Sequence, residues 1–202
     1  MFEELKMEVV RVAKDADRSG MCRHKSGNFS IRDAETGLVV VSPSGVAREI
    51  LKPEDCIVVD MDGNVVENLM GRKPTSETPM HLAAYQVRPD RNAIVHTHAR
   101  YSTAFAILNR ELPAIAAESM HLGKSRTVPV APYGKVGSKE LAENVAETLK
   151  ETDCCLMRSH GSIAMGNTLD DAYLKAQYVE EIAQLYYIVL TANGGQEPDH
   201  IE

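Results

Sequence analysis

Ala93-Ile94-Val95-His96-Thr97-His98 reads as a short β-strand, rich in β-branched residues and free of glycine and proline. Side chains on a strand alternate between its two faces, so His96 and His98 present both imidazoles to one side. Val95 and Thr97 face the opposite layer. Working outward toward the N-terminus, residues 75–87 read as a helix opened by Thr75 and Ser76, with Pro79 still in its first turn. Before it come β-type runs in hairpin order: residues 28–32 and 38–42 on either side of 33–37, then 56–60 and Val65-Val66 around the turn Asp62-Gly63. An amphipathic helix over residues 3–18 precedes them, with Leu5, Val9, Val12, Ala13 and Ala16 on one stripe.

Toward the C-terminus the strands become spaced by helices. Residues 102–108 are predicted helical and 127–130 extended, and Ser138 caps a helix with Leu141, Val145 and Leu149 on one face. Residues 154–157 and 162–165 form a strand pair around His160-Gly161. Thr168, with Asp171 three residues on, opens a long closing helix to about residue 192, and Asn193-Gly194-Gly195 reads as a frayed tail. Hairpins first and helix-spaced strands later predict an α/β chain with a mostly antiparallel sheet covered by helices.

The 202 residues suit one domain, carry a formal charge of −7 and are 44% hydrophobic, so disorder and fibrous repeats are excluded as classes. Lys and Arg are scattered rather than striped, which argues against nucleic acid as a partner, although Arg23-His24-Lys25 is a local cationic cluster. No stretch is long and apolar enough to span a bilayer, and the N-terminal segment lacks the marks of a secretory leader; a cytoplasmic protein is expected. Cys22, Cys56, Cys154 and Cys155 form no Cys-x-x-Cys pair and read as small buried hydrophobes, the last two on opposite faces of a strand.

A His-x-His pair at a strand end is a two-ligand platform for a borderline-soft divalent cation. His160, in a turn between two apolar strands, is either a third ligand or a turn residue bound to a neighbouring carbonyl. Three histidines would leave the cation an open position, as catalytic sites do. Glu77 is either a first-turn carboxylate favoured by the helix dipole or a ligand and general base beside the metal. Thr75 and Ser76 bring hydroxyls and backbone N–H groups to that same helix end. Ser26-Gly27-Asn28-Phe29-Ser30 and Ser42-Pro43-Ser44-Gly45 are ordinary turn compositions, yet both suit close approach of backbone N–H groups to a phosphate.

In order along the chain, Gly27-Asn28-Phe29-Ser30, Ser42-Pro43-Ser44-Gly45, Pro74-Thr75-Ser76-Glu77, His96-Thr97-His98 and His160-Gly161 resemble the class II aldolase/adducin family. Arg88-Pro89-Asp90, Asn92-Ala93 and Ala131-Pro132-Tyr133 add to the likeness, which spans about residues 5–190 and is greatest with the L-fuculose-1-phosphate aldolases. The resemblance implies a three-layer α/β/α sandwich and a cyclic homotetramer with active sites between subunits. It implies Zn2+ held by His96, His98 and His160, with Glu77 as fourth ligand at rest and as the proton-transferring group. It implies that Gly27, Asn28, Ser44, Gly45, Thr75 and Ser76 bind the phosphate of a small sugar phosphate.

The activity so implied is retro-aldol cleavage of a ketose 1-phosphate, L-fuculose 1-phosphate foremost, to dihydroxyacetone phosphate and a short aldehyde such as L-lactaldehyde. The alternatives are a pentulose-phosphate 4-epimerase, which would use the same bond cleavage and then reclose the bond, or another sugar-phosphate lyase on the same scaffold. An adducin-like binding module would lack the intact metal residues. One departure stands out: the tyrosine that such aldolases use as proton donor soon after Pro-Ala-Ile is absent. Here Pro113-Ala114-Ile115 runs on through Ala116 to His121 with no tyrosine, leaving Glu118 and His121 as substitutes by position.

Overall fold

The computed structural model describes residues 2–123 and 125–201. Its strands are β1 (Asn28–Arg32), β2 (Val39–Val41), β3 (Ile57–Val59), β4 (Val65–Glu67), β5 (Ala93–Thr97), β6 (Val130–Ala131), β7 (Cys154–Met157) and β8 (Gly161–Gly166). They form one sheet in the order β4-β3-β2-β1-β5-β8-β7-β6. Every neighbouring pair is antiparallel except β6 and β7.

Strict alternation divides the core into two layers. Val40, Val58, Val95, Cys154 and Leu156 pack on one face, under α1 (Glu3–Arg18), α3 (Arg100–Leu108) and α5 (Leu169–Ala192). Val39, Val41, Ile57, Ile94, Cys155 and Met157 pack on the other, under α2 (Thr78–Val87) and α4 (Lys139–Leu149). The result is the expected three-layer α/β/α sandwich, with Cys154 and Cys155 on opposite faces and all four cysteines buried as free thiols. Among the described residues no helix is long and apolar enough to cross a membrane.

Caps form where the sequence places them at two helices. Ser138 Oγ accepts from Leu141 N at 3.1 Å, and Thr168 Oγ1 accepts from Asp171 N at 3.1 Å. A distant carboxylate serves α3: Glu180 on α5 accepts from the backbone N–H groups of Tyr101 and Ser102, each at 2.9 Å.

Three elements differ from expectation. α2 begins at Thr78 because the Thr75 N–H is bonded to Ser42 O at 3.1 Å, beside a Pro43–Pro74 bridge. Residues 127–129 lie outside the sheet because Val128 exchanges both backbone hydrogen bonds with Leu112, at 2.9 and 3.0 Å. The tail after α5 is tied down: Glu197 accepts from Tyr186 OH at 2.5 Å and pairs with Arg110, and Ile201 N bonds Ala114 O at 2.8 Å.

A buried carboxylate joins the layers. Asp153, just before β7, receives Arg88 Nη2 at 2.7 Å, Arg91 Nε at 3.0 Å and Lys175 Nζ at 3.0 Å, tying the end of α2 to α5. Near the centre of the sheet, the start of β1, the end of β5 and the start of β8 lie side by side. Asn28 pairs with His96, and Thr97 with Ser162. The chemistry-bearing residues collect at this edge.

Candidate active site

His96 shares its face of β5 with Ile94 and points toward the α2 layer, as the alternation requires. Its ring is fully buried, and Nδ1 lies 2.8 Å from Ser162 O. A carbonyl only accepts, so Nδ1 carries the proton and Nε2 turns its lone pair into the site. That Nε2 is 2.9 Å from His98 Nε2 and 3.1 Å from Glu77 Oε2. His160, delivered by the turn at Ser159 (φ 58°), places Nε2 3.5 Å from Glu77 Oε1. One ligand atom from each of these four residues lies within 4.8 Å of the others.

The donor set fits a divalent cation. Ligand atoms around a tetrahedral zinc sit about 3.3 Å apart for bonds of 2.0–2.1 Å, in the middle of the 2.9, 3.1 and 3.5 Å separations here. Glu77 Oε1 is buried yet accepts no hydrogen bond among the described residues, an orphaned oxygen facing the histidines. Three imidazoles and one carboxylate are the ligands that borderline metals take.

Electrostatics at His98, His160 and Glu77 point the same way. Burial pushes the His98 imidazolium down to about 3, and His160 to about 4, with the neighbouring His96 adding to both shifts. These rings are therefore neutral and free to donate at neutral pH. Burial alone would raise Glu77, but His96, His160 and the Asn28 amide outweigh it and hold the carboxyl well below the usual carboxylate range. Burial likewise opposes protonation of His96, and the Glu77 charge overcomes it, so this ring lies above its ordinary value.

A cavity of about 210 Å³ opens on the cluster. Gly27, Asn28, Ser44, Gly45, Thr75 and Ser76 all line it together with Glu77, His98 and His160, so the three loops singled out in the sequence converge here. Lys25 and Val136 line it as well. Gly27 is required by the geometry: its φ is +74°, and a Cβ there would stand 2.6 Å from His96 O. Behind the loop, the buried Arg48 donates to Gly27 O at 2.8 Å and to Ser26 O at 3.3 Å, turning those carbonyls away. Glu118 and His121 do not line the cavity; His121 stacks on Tyr178 with ring centroids 5.3 Å apart.

Residues 7–187 match the family model described as Class II Aldolase and Adducin N-terminal domain. The chain belongs to the class II aldolase and adducin family. It is 38% identical over 187 residues to a 5-deoxy-D-ribulose 1-phosphate aldolase of Bacillus thuringiensis serovar kurstaki, covering 93% of this chain and 86% of the relative. It is 37% identical to an L-fuculose phosphate aldolase of Escherichia coli K12, covering 93% and 84%. A solved L-fuculose 1-phosphate aldolase structure superposes with a TM-score of 0.91 at 34% identity, over 98% of this chain and 91% of that one. The protein is accordingly a class II aldolase, a lyase of a metal-dependent class, with a His/Glu cluster suited to hold the metal.

The sequence assigns no individual role to four residues around this centre. Ser162 offers His96 only a backbone carbonyl, which no side-chain pattern reveals. Ser30, His81 and Tyr85 form a buried polar chain beneath Glu77. The four-residue spacing from the N-cap Glu77 to His81 and on to Tyr85 would have flagged the last two.

Proposed function

We propose that this aldolase cleaves a ketose 1-phosphate to dihydroxyacetone phosphate and a short aldehyde, with L-fuculose 1-phosphate as the leading substrate, using Zn2+ held by His96, His98, His160 and, at rest, Glu77. The observation that carries the reading is the position of the His/Glu cluster at one side of a cavity whose other wall is the three Gly/Ser/Thr/Asn loops. The relatives named for 5-deoxy-D-ribulose 1-phosphate and L-fuculose phosphate support a phosphorylated ketose and leave two aldehyde ends to compare.

In this account the phosphate sits among Gly27, Asn28, Ser44, Gly45, Thr75 and Ser76, which fixes the C1 end and turns the C2–C4 segment toward Glu77. Lys25 adds a cation at the same wall. A divalent cation in the cluster supplies a Lewis acid for the negative charge that develops on the substrate's oxygens. As the C3–C4 bond breaks, the Glu77 carboxylate takes the C4 hydroxyl proton, the aldehyde carbonyl forms, and the C3–C4 electron pair stays on the three-carbon fragment. Glu77 then delivers a proton to C3, and in the synthetic direction takes it away. The assembly proposed is a homotetramer with sites at subunit interfaces, so light scattering should return about four times the chain mass.

Proton exchange tests this reading without any aldehyde. Dihydroxyacetone phosphate incubated in deuterium oxide with zinc-loaded enzyme should take up one deuterium at C3, and Glu77→Gln should slow that exchange at least a hundredfold. No exchange by the wild-type enzyme would remove the proposed chemistry.

A further inference from the structure

The residues beneath Glu77 form a hydrogen-bond chain that runs in one direction. Asn28 Nδ2 lies 2.8 Å from Glu77 Oε2. The reverse amide orientation would set two oxygens against each other at that distance, so the N–H faces the carboxylate and Oδ1 faces away. Asn28 Oδ1 lies 2.6 Å from His81 Nε2, which must therefore donate. The His81 ring is fully buried and its two nitrogens meet only the Asn28 amide and the Ser30 hydroxyl, with no carboxylate to offset a buried charge, so the ring is neutral and Nδ1 is an acceptor. Ser30 Oγ, 2.6 Å from Nδ1, then gives its only proton to His81, and Tyr85 OH turns its proton to that Oγ at 2.8 Å, nearer than the Ser30 and Asn92 carbonyls at 3.1 and 3.3 Å. Two periodicities build the chain: His81 and Tyr85 share a face of α2 one and two turns on from the N-cap Glu77, and residues 28 and 30 share a face of β1.

We propose that His81 is a positioning residue: held as its Nε2–H tautomer by Ser30 and Tyr85, it locks the Asn28 amide so that an N–H is committed to Glu77. The lock matters because a free asparagine amide can present either end to a carboxylate, and only one end holds it. The second Nδ2 proton stays available to the cavity that Asn28 lines. A buried network of this kind acts as a unit, since the loss of any donor lets every group downstream reorient. The His81 backbone N–H bonds Glu77 O at 3.2 Å, but its ring meets neither the ligand atoms nor the cavity, and the ring's influence reaches them through Asn28. The proposal rests on the reading of this centre as a metal-dependent aldolase site, and its test separates the two.

The first arm needs neither metal nor sugar phosphate. A long-range proton–nitrogen correlation spectrum of histidine-labelled apoprotein should show His81 neutral with the proton on Nε2, and Ser30→Ala should disturb that pattern. A proton on Nδ1 in the wild-type protein would overturn the proposal. The second arm measures Co2+ affinity by chelator competition for His81→Leu, Asn28→Ala and the double variant, with the cobalt visible spectrum as a reporter of ligand geometry. Loss of such supporting bonds costs about 10–100-fold, so His81→Leu should weaken Co2+ about tenfold and alter the spectrum. His81→Gln, whose side-chain amide can still donate to Asn28, should recover most of the loss. In the Asn28→Ala background, His81→Leu should cost nothing further. Full additivity, or a Gln variant as impaired as Leu, would show that His81 does not act through Asn28. A relay confirmed by these arms in a protein that cleaves no ketose phosphate would leave His81's role standing and remove the substrate assignment.

Discussion

Gly161 presses against the strand that carries the metal-type histidines: a Cβ on it would stand 2.3 Å from Thr97 O and 3.3 Å from His96 Cε1. The absence of a side chain at this position lets the turn bearing His160 close onto His96 and His98. Gly161→Ala must push β5 and β8 apart just where their rings converge. Overpacking of this kind costs about 1–3 kcal/mol, and the displaced ligands should weaken zinc at least tenfold. Thermal unfolding and metal titration of the variant check both effects. An alanine variant with unchanged zinc affinity would show that the close approach is not what assembles the cluster.

Glu77→Gln should fold, keep its metal and lose most of its turnover. Gln retains an oxygen donor for the cation but cannot take or deliver a proton near neutral pH, and such losses run to about 10²–10⁴-fold. Metal content by elemental analysis, read beside kcat, separates the two roles. Near-normal turnover would remove Glu77 from proton transfer.

Asp153 holds three cations on its buried carboxylate, so Asp153→Asn should destabilise the fold by about 3–5 kcal/mol. Burial would raise this carboxyl, but hydrogen bonds from Arg91, Lys175 and Arg88 outweigh it and its pKa lies below the ordinary value. A depressed carboxyl contributes stability that is complete above its unfolded pKa of about 3.9 and is lost as pH falls through the lower folded value. Urea unfolding from pH 5 downward should therefore show a steeper loss for the wild-type protein than for Asp153→Asn.

His81 titrates in a different window. Its folded value of about 3 lies far below the ordinary 6.5. Between these values the unfolded chain holds a proton that the folded ring refuses, so stability is complete above about pH 6.5 and falls as the pH drops toward 3. His98 and His160 add to the same slope. The difference between wild type and His81→Gln should isolate one group, about 1.4 kcal/mol per pH unit within the window. Parallel pH–stability curves would show that His81 is not held neutral.

Much of this architecture is legible in the sequence. Period-2 alternation around Ile94, Val95 and His96 announced a strand with both faces covered, and Ser138 and Thr168 marked two helix starts that the structure keeps. The His96/His98 pair was visible because a strand puts residues two apart on one side. The start of α2 differs because Thr75 and Ser76 look like caps, whereas the Thr75 N–H is taken by Ser42 O next to the Pro43–Pro74 bridge. The tail past Asn193 looked free because its anchors, Arg110, Tyr186 and Ala114, are distant in sequence. The polar chain from Tyr85 to Glu77 was missed because a lone histidine or tyrosine on a helix is ordinarily core. Its meaning emerges only when β1 supplies Asn28 and Ser30 between them.

The central claim is most directly tested by a coupled assay for dihydroxyacetone phosphate release from L-fuculose 1-phosphate and 5-deoxy-D-ribulose 1-phosphate, with and without a chelator. The account predicts release from at least the first of these, abolished by chelation and restored by added zinc. Absence of release from both sugars by zinc-loaded enzyme, or release indifferent to the chelator, would contradict it.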